Sequence, residues 1–153
     1  MIESGDEFRL NKANGSKMHF EFPVQGGNFS GAGGASSGIK NILKKLGIGY
    51  DIIKRVAIAS YESEINIVAY AAHGKLLLDI EPEEIVVTAA DIGPGIPDIE
   101  KALQEGYSTA TPFIREMGFG AGLGLSNMKK ASDRMVIESV VGEGTTVTMK
   151  FRL

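Results

Sequence analysis

Glu62 and Asn66 stand four residues apart in the stretch YESEIN. On a helix that spacing puts both side chains on one face, a turn apart. A carboxylate beside a carboxamide offers two hard oxygen donors, the kind Mg²⁺ takes; the same pair also decorates ordinary solvated helix faces. Asp91 closes the alternating stretch EEIVVTAAD and is followed by IGPGIP. A carboxylate at a strand end is held rigidly and can accept from an amino-bearing heterocycle such as adenine. Gly93 and Gly95 remove side chains where a flat ring would approach the backbone. A tight Asx-type turn leading into a helix accounts for the same residues without a ligand.

The stretch GFGAGLGL sets Gly118, Gly120, Gly122 and Gly124 in alternation just before a helical pattern. Bare backbone feeding a helix N-terminus is an anion site, because unpaired N–H groups and the helix dipole face the same way. Ahead of it, residues 107–117 have no clear period and the makings of a lid; they hold Arg115 with Ser108, Thr109 and Thr111. In GEGTT, residues 142–146, Thr145 and Thr146 open the last strand after a glycine turn, which β-favouring threonines also explain.

These residues need a scaffold. KMHFEFPV (17–24) alternates, with Met18, Phe20, Phe22 and Val24 on one face of a half-buried strand. The glycine- and serine-rich stretch 25–38 reads as a flexible connection, followed by a helix over 39–47 that Gly47 stops. The longest helical pattern covers 50–74, with Ile52, Val56, Ala59, Ser63, Asn66 and Tyr70 at three- and four-residue steps and Gly74 closing it. The stripe that holds Glu62 and Asn66 also contains Ser63, Ala69, Tyr70 and His73. Strands over 75–80 and 83–91 flank a turn at Glu81-Pro82, and a short helix over 97–106 has Pro97 in its first turn. A helix over 123–133 and a hairpin around 142–144 complete the chain. The expected fold class is α+β: a two-layer α/β sandwich, its sheet mixed and mostly antiparallel, with helices on one face. Residues 1–16 read as a flexible N-terminus with a short strand near Phe8, and 17–153 as a single domain.

Composition narrows the function classes. A chain of 153 residues suffices for one domain with its own core. A net charge of −3 gives no electrostatic reason to expect nucleic acid or an anionic membrane as partner. The absence of cysteine excludes disulfides and thiolate metal sites, and two histidines argue against a histidine-rich one. MIESGDEFRL lacks the regions of a signal peptide and no apolar run approaches about 20 residues, so a cytoplasmic protein is expected.

Taken in order, Glu62/Asn66, Asp91-x-Gly93-x-Gly95, the alternating glycines and Gly144-Thr145 resemble the N, G1, G2 and final Gly-Thr boxes of the GHKL ATPases. This is the Bergerat-fold superfamily of histidine kinases, Hsp90, MutL and type II topoisomerases. The resemblance covers roughly residues 17 to 153. Within it, DIGPGIPDIEKALQEGYST and GAGLGLSNMKKASDRMVIESVVGEGTTV look like the small bacterial anti-sigma factors with serine/threonine kinase activity, especially the stressosome switch kinase.

The resemblance implies ATP and Mg²⁺. Asp91 would take the adenine amino group, with Thr145 reinforcing it, and Gly93, Gly95 and Ile96 would line the base pocket. Asn66 would ligate the Mg²⁺ that bridges the phosphates. Gly118, Gly120, Ala121, Gly122, Leu123 and Gly124 would wrap the triphosphate. Glu62 would be the general base toward a serine or threonine hydroxyl, and Arg115 would neutralise charge at the γ-phosphate. The activity so implied is phosphorylation of a small antagonist protein in a regulatory switch, with release of ADP. A sigma factor or other regulator is a further partner, and a homodimer one assembly. The alternative is a non-catalytic module that sequesters a regulator in an ATP-dependent way. Tyr61 and Ser63, and the richness in glycine of the segment GNFSGAGGASSG, depart from the group's pattern.

Overall fold

Period-two alternation builds the sheet. The computed structural model describes residues 8–11, 17–104, 106 and 124–153. Its strands are β1 (Phe8–Asn11), β2 (Lys17–Gln25), β3 (His73–Ile80), β4 (Glu84–Ile92), β5 (Arg134–Val140) and β6 (Gly144–Arg152). They form one sheet in the order β1-β2-β3-β4-β6-β5, and all five pairings are antiparallel. The register aligns apolar residues in rows across the strands. One row runs Phe20, Leu78, Val87, Met149, Met135, and the next Phe22, Leu76, Ala89, Val147, Ile137. A one-residue slip of any central strand would turn its row out to water.

The helices α1 (Gly34–Lys45), α2 (Tyr50–Tyr70) and α4 (Gly124–Ala131) cover that face; α3 (Ile99–Ala102) is a short turn of helix after β4. Ile39 and Leu43 of α1, Val56 and Ile67 of α2 and Met128 of α4 are buried against the rows in one core. This is the expected two-layer α+β sandwich. No helix among the described residues is long and apolar enough to cross a membrane.

Several boundaries differ from the sequence expectation. Residues 25–38 are not a flexible connection: Asn28 closes a 3-10 turn at Phe29–Gly31, and α1 already begins at Gly34. The cause is a carboxylate from another helix. Gly33 has no side chain with which to cap α1, and Glu64 of α2 accepts from Gly33 N–H (3.0 Å), Ala35 N–H (3.1 Å) and Ser36 N–H (2.9 Å) instead. An anion at a helix N-terminus satisfies the unpartnered donors and meets the positive end of the dipole. Helix α2 stops at Tyr70, because Ala72 N–H donates to Ile92 O (2.8 Å) and draws the chain into β3. His73 therefore belongs to the strand and not to the helical stripe of Glu62. Pro97 lies outside α3, whose cap is Asp98, with its carboxylate accepting from Lys101 N–H at 3.1 Å.

Candidate functional site

Asp91 and Thr145 meet because β4 and β6 are neighbours, with Ala90 opposite Thr146. The Asp91 carboxylate is half-buried and its Oδ1 accepts from Thr145 N–H at 3.2 Å. Burial pushes its pKa up; the Thr145 N–H pulls the other way without overcoming it. The loop after β4 is strapped to the β5–β6 turn. Gly93 N–H donates to Glu143 O (3.1 Å), Gly142 N–H to Pro94 O (2.8 Å) and Ile96 N–H to Ser139 Oγ (2.8 Å). Gly95 makes the strap possible: its φ is +78°, and a Cβ there would lie 2.5 Å from Val140 O. Gly93 packs so closely that a Cβ would lie 3.1 Å from Ala71 Cα and 3.2 Å from Asp91 Oδ1. The rim thus presents a carboxylate beside bare backbone.

Ser139 is a member of this rim that motif reasoning missed. Besides the Ile96 bond, its Oγ lies 2.8 Å from Thr145 Oγ1 and 3.1 Å from Gly144 O. Its signal was phase: Met135 and Ile137 face the core from β5, and Ser139 puts a hydroxyl at the next inward position.

The second half of the site lies on α2. Glu62 Oε1 and Asn66 Oδ1 both come within 3.4 Å of where a Cβ would sit on Gly124, the first residue of α4. The four-residue spacing therefore brings both oxygens to one helix start, and a side chain at position 124 would crowd them. Asn127 Nδ2 donates to Glu62 Oε2 at 3.2 Å. The halves join where Ala71, just past the end of α2, packs under Gly93. Ser63, by contrast, is core: it is buried, donates to Ala59 O at 2.8 Å and lies 3.0 Å from Met128 Sδ. Arg115, Gly118, Gly120, Ala121, Gly122 and Leu123 lie outside the described residues.

The Asn66 oxygen suits a cation shared with a ligand. No group of three or more His, Cys, Asp or Glu able to hold a metal occurs among the described residues. The Asn66 amide oxygen alone is too little for a protein cage, yet suits Mg²⁺, which keeps waters and takes its remaining ligands from phosphate oxygens, and leaves the Glu62 carboxylate beside it free for a proton.

Residues 59–153 match the family model of the histidine kinase-, DNA gyrase B- and HSP90-like ATPases. The serine/threonine-protein kinase RsbT of Bacillus subtilis (strain 168) is 35% identical over 112 residues, covering 71% of this chain and 78% of that protein. The anti-sigma F factor of Thermoanaerobacter sp. (strain X514) is 32% identical over 99 residues, 65% of this chain and 62% of the relative. That of Geobacillus stearothermophilus is 38% identical over 71 residues, 46% and 45% of the two chains. The chain thus spans less than two thirds of these anti-sigma F factors.

Proposed function

Since the chain belongs to the histidine kinase-, DNA gyrase B- and HSP90-like ATPase family, we propose that it binds Mg²⁺-ATP and transfers the γ-phosphoryl group to a serine or threonine of a small regulatory protein. The observation that carries this reading is the Glu62 carboxylate beside the Asn66 amide oxygen at the start of α4. A module that only captured a partner would need the Asp91 rim but no base.

In this reading residues 17–153 form the nucleotide-binding unit. Asp91 accepts from the adenine amino group, Thr145 supports it, and the loop Gly93–Ile96 forms the floor of the base pocket. Asn66 would hold Mg²⁺, which supplies charge neutralisation at the phosphates. The glycines from 118 to 124 are assigned to the triphosphate and Arg115 to the γ-phosphate. The acceptor hydroxyl gives its proton to Glu62 as its oxygen bonds to phosphorus. The bond from phosphorus to the bridging oxygen breaks, and that electron pair leaves with ADP. Such a transfer asks mainly for positioning and charge neutralisation.

The test uses γ-labelled ATP and a small candidate antagonist protein. Glu62→Ala is expected to lower label transfer by about 10²–10⁴-fold, the usual contribution of a positioned base, with ATP affinity kept within a few-fold. Undiminished transfer in that variant would remove Glu62 from the role. A second reading, favoured by the likeness to anti-sigma F factors, is ATP-dependent capture of a sigma factor or other regulator. It requires that Glu62→Ala spare partner capture while Asp91→Asn abolishes it.

A further inference from the structure

We infer that Asn127 is a positioning residue for Glu62, clamping one carboxylate oxygen so that the other is presented to the reacting hydroxyl; this rests on the kinase reading above. The Asn127 amide donates to Glu62 Oε2 at 3.2 Å. The other oxygen, Oε1, is the one that lies beside Gly124 together with Asn66 Oδ1. The two oxygens of one carboxylate are thereby given different jobs. A glutamate has three side-chain torsions, and an unclamped one spends much of its time in unproductive rotamers. A single charge-assisted hydrogen bond from a half-buried donor removes most of that freedom.

The donor's address matters as much as its distance. Asn127 sits in the first turn of α4, three residues after Gly124, and its neighbours Ser126 and Met128 are buried. Met128 packs in the core and lies against Ser63, the residue that follows Glu62. The clamp is therefore mounted on a part of α4 that is buried on both sides of Asn127 and packed on α2 at Met128. It also joins the base to the helix that directly follows the glycine-rich stretch assigned to phosphate. The position of α4 and the aim of the base are thereby coupled.

Two measurements test this. In the nucleotide-free protein, the Asn127 side-chain amide resonances are expected to shift in Glu62→Ala by far more than those of other asparagines; unmoved resonances would overturn the clamp. In label transfer, Asn127→Ala is expected to lower kcat about tenfold with KM for ATP within twofold. Asn127→Asp, which keeps the shape but cannot donate, should lose at least as much. In the Glu62→Ala background Asn127→Ala should have no further effect, because residues acting as one unit are not additive. An unchanged kcat, a rise in KM alone, or an equal loss in both backgrounds would each overturn the proposal. Absence of transfer in the wild type would instead sink the kinase reading, and the resonance comparison would still decide whether Asn127 holds Glu62.

Discussion

Asp91 answers to two demands that pull against each other. In the role we propose for it, as acceptor for a ligand's amino group, it works best ionised, yet burial holds its pKa above the ordinary 3.8 despite the Thr145 N–H. For a carboxyl raised on folding, the favourable contribution is complete below pH 3.8, where both states carry the proton. It is lost as pH rises through the folded value. At neutral pH the nucleotide-free fold therefore bears a penalty at this residue. Asp91→Asn is expected to raise the urea midpoint of the nucleotide-free protein at pH 7 while abolishing ATP binding in titration calorimetry. A lowered midpoint would mean that the bond from Thr145 outweighs the burial. Asp91, Gly93, Gly95 and Thr145 were legible in the sequence because aspartate and glycine at the end of an alternating strand need a reason. Ser139 and Asn127 were not. Asn127 is a lone polar residue whose partner is 65 residues away, and Ser139 shows only a faint phase signal, its bond across to Ile96 spanning 43 residues.

Helix α1 shows why element boundaries were harder to read than element types. Its first residues, Gly34, Ala35, Ser36, Ser37 and Gly38, carry neither periodicity nor a capping side chain. A purely local reading starts the helix five residues too late, at Ile39, because the cap comes from Glu64 on a different helix. Glycine at 38 is also required from outside, since a Cβ would lie 2.7 Å from the Phe22 ring. Long-range partners are invisible to spacing rules; strand alternation, whose cause is the sheet's own two faces, located β2 to β6, though β3 begins two residues earlier than expected, at His73. Glu64→Ala would leave three helix N–H groups without their acceptor. The expected cost is about 3 kcal/mol, read as a lower urea midpoint at unchanged slope. Amide exchange should be fastest at Gly33, Ala35 and Ser36. A loss confined to a few tenths of a kcal/mol would show that water caps α1 equally well.

At the scale of the whole molecule, the described residues differ in chemistry between the two ends of the sheet. Near the start of β2, on the face away from the helices, His19 lies 2.6 Å from Asp79 and 2.9 Å from Glu21. Burial pushes its pKa down, but the bonds and charges of the two carboxylates outweigh that and leave it above 6.5. The resulting stabilisation is fully present below pH 6.5 and is lost as pH rises through the folded value. Urea midpoints measured from pH 5.5 to 8.5 should therefore fall more steeply for the wild type than for His19→Gln; parallel curves would leave the histidine without influence. The same end holds further ion pairs. Lys17 reaches Glu81 at 3.9 Å, and Asp133 lies between Arg55 (3.5 Å) and Arg152 (4.0 Å) while accepting from Arg152 N–H. The opposite end, eight residues away along β4, is tied by backbone amides and hydroxyls, with the Asp91 carboxylate accepting from a backbone N–H instead of pairing with a charged side chain. Dissolved electrolyte weakens exposed charge pairs and barely touches neutral hydrogen bonds. A change of salinity thus works on this molecule like a hand on one end of a rod, loosening the bottom of the sheet while the rim around Asp91 and Gly93 keeps its shape.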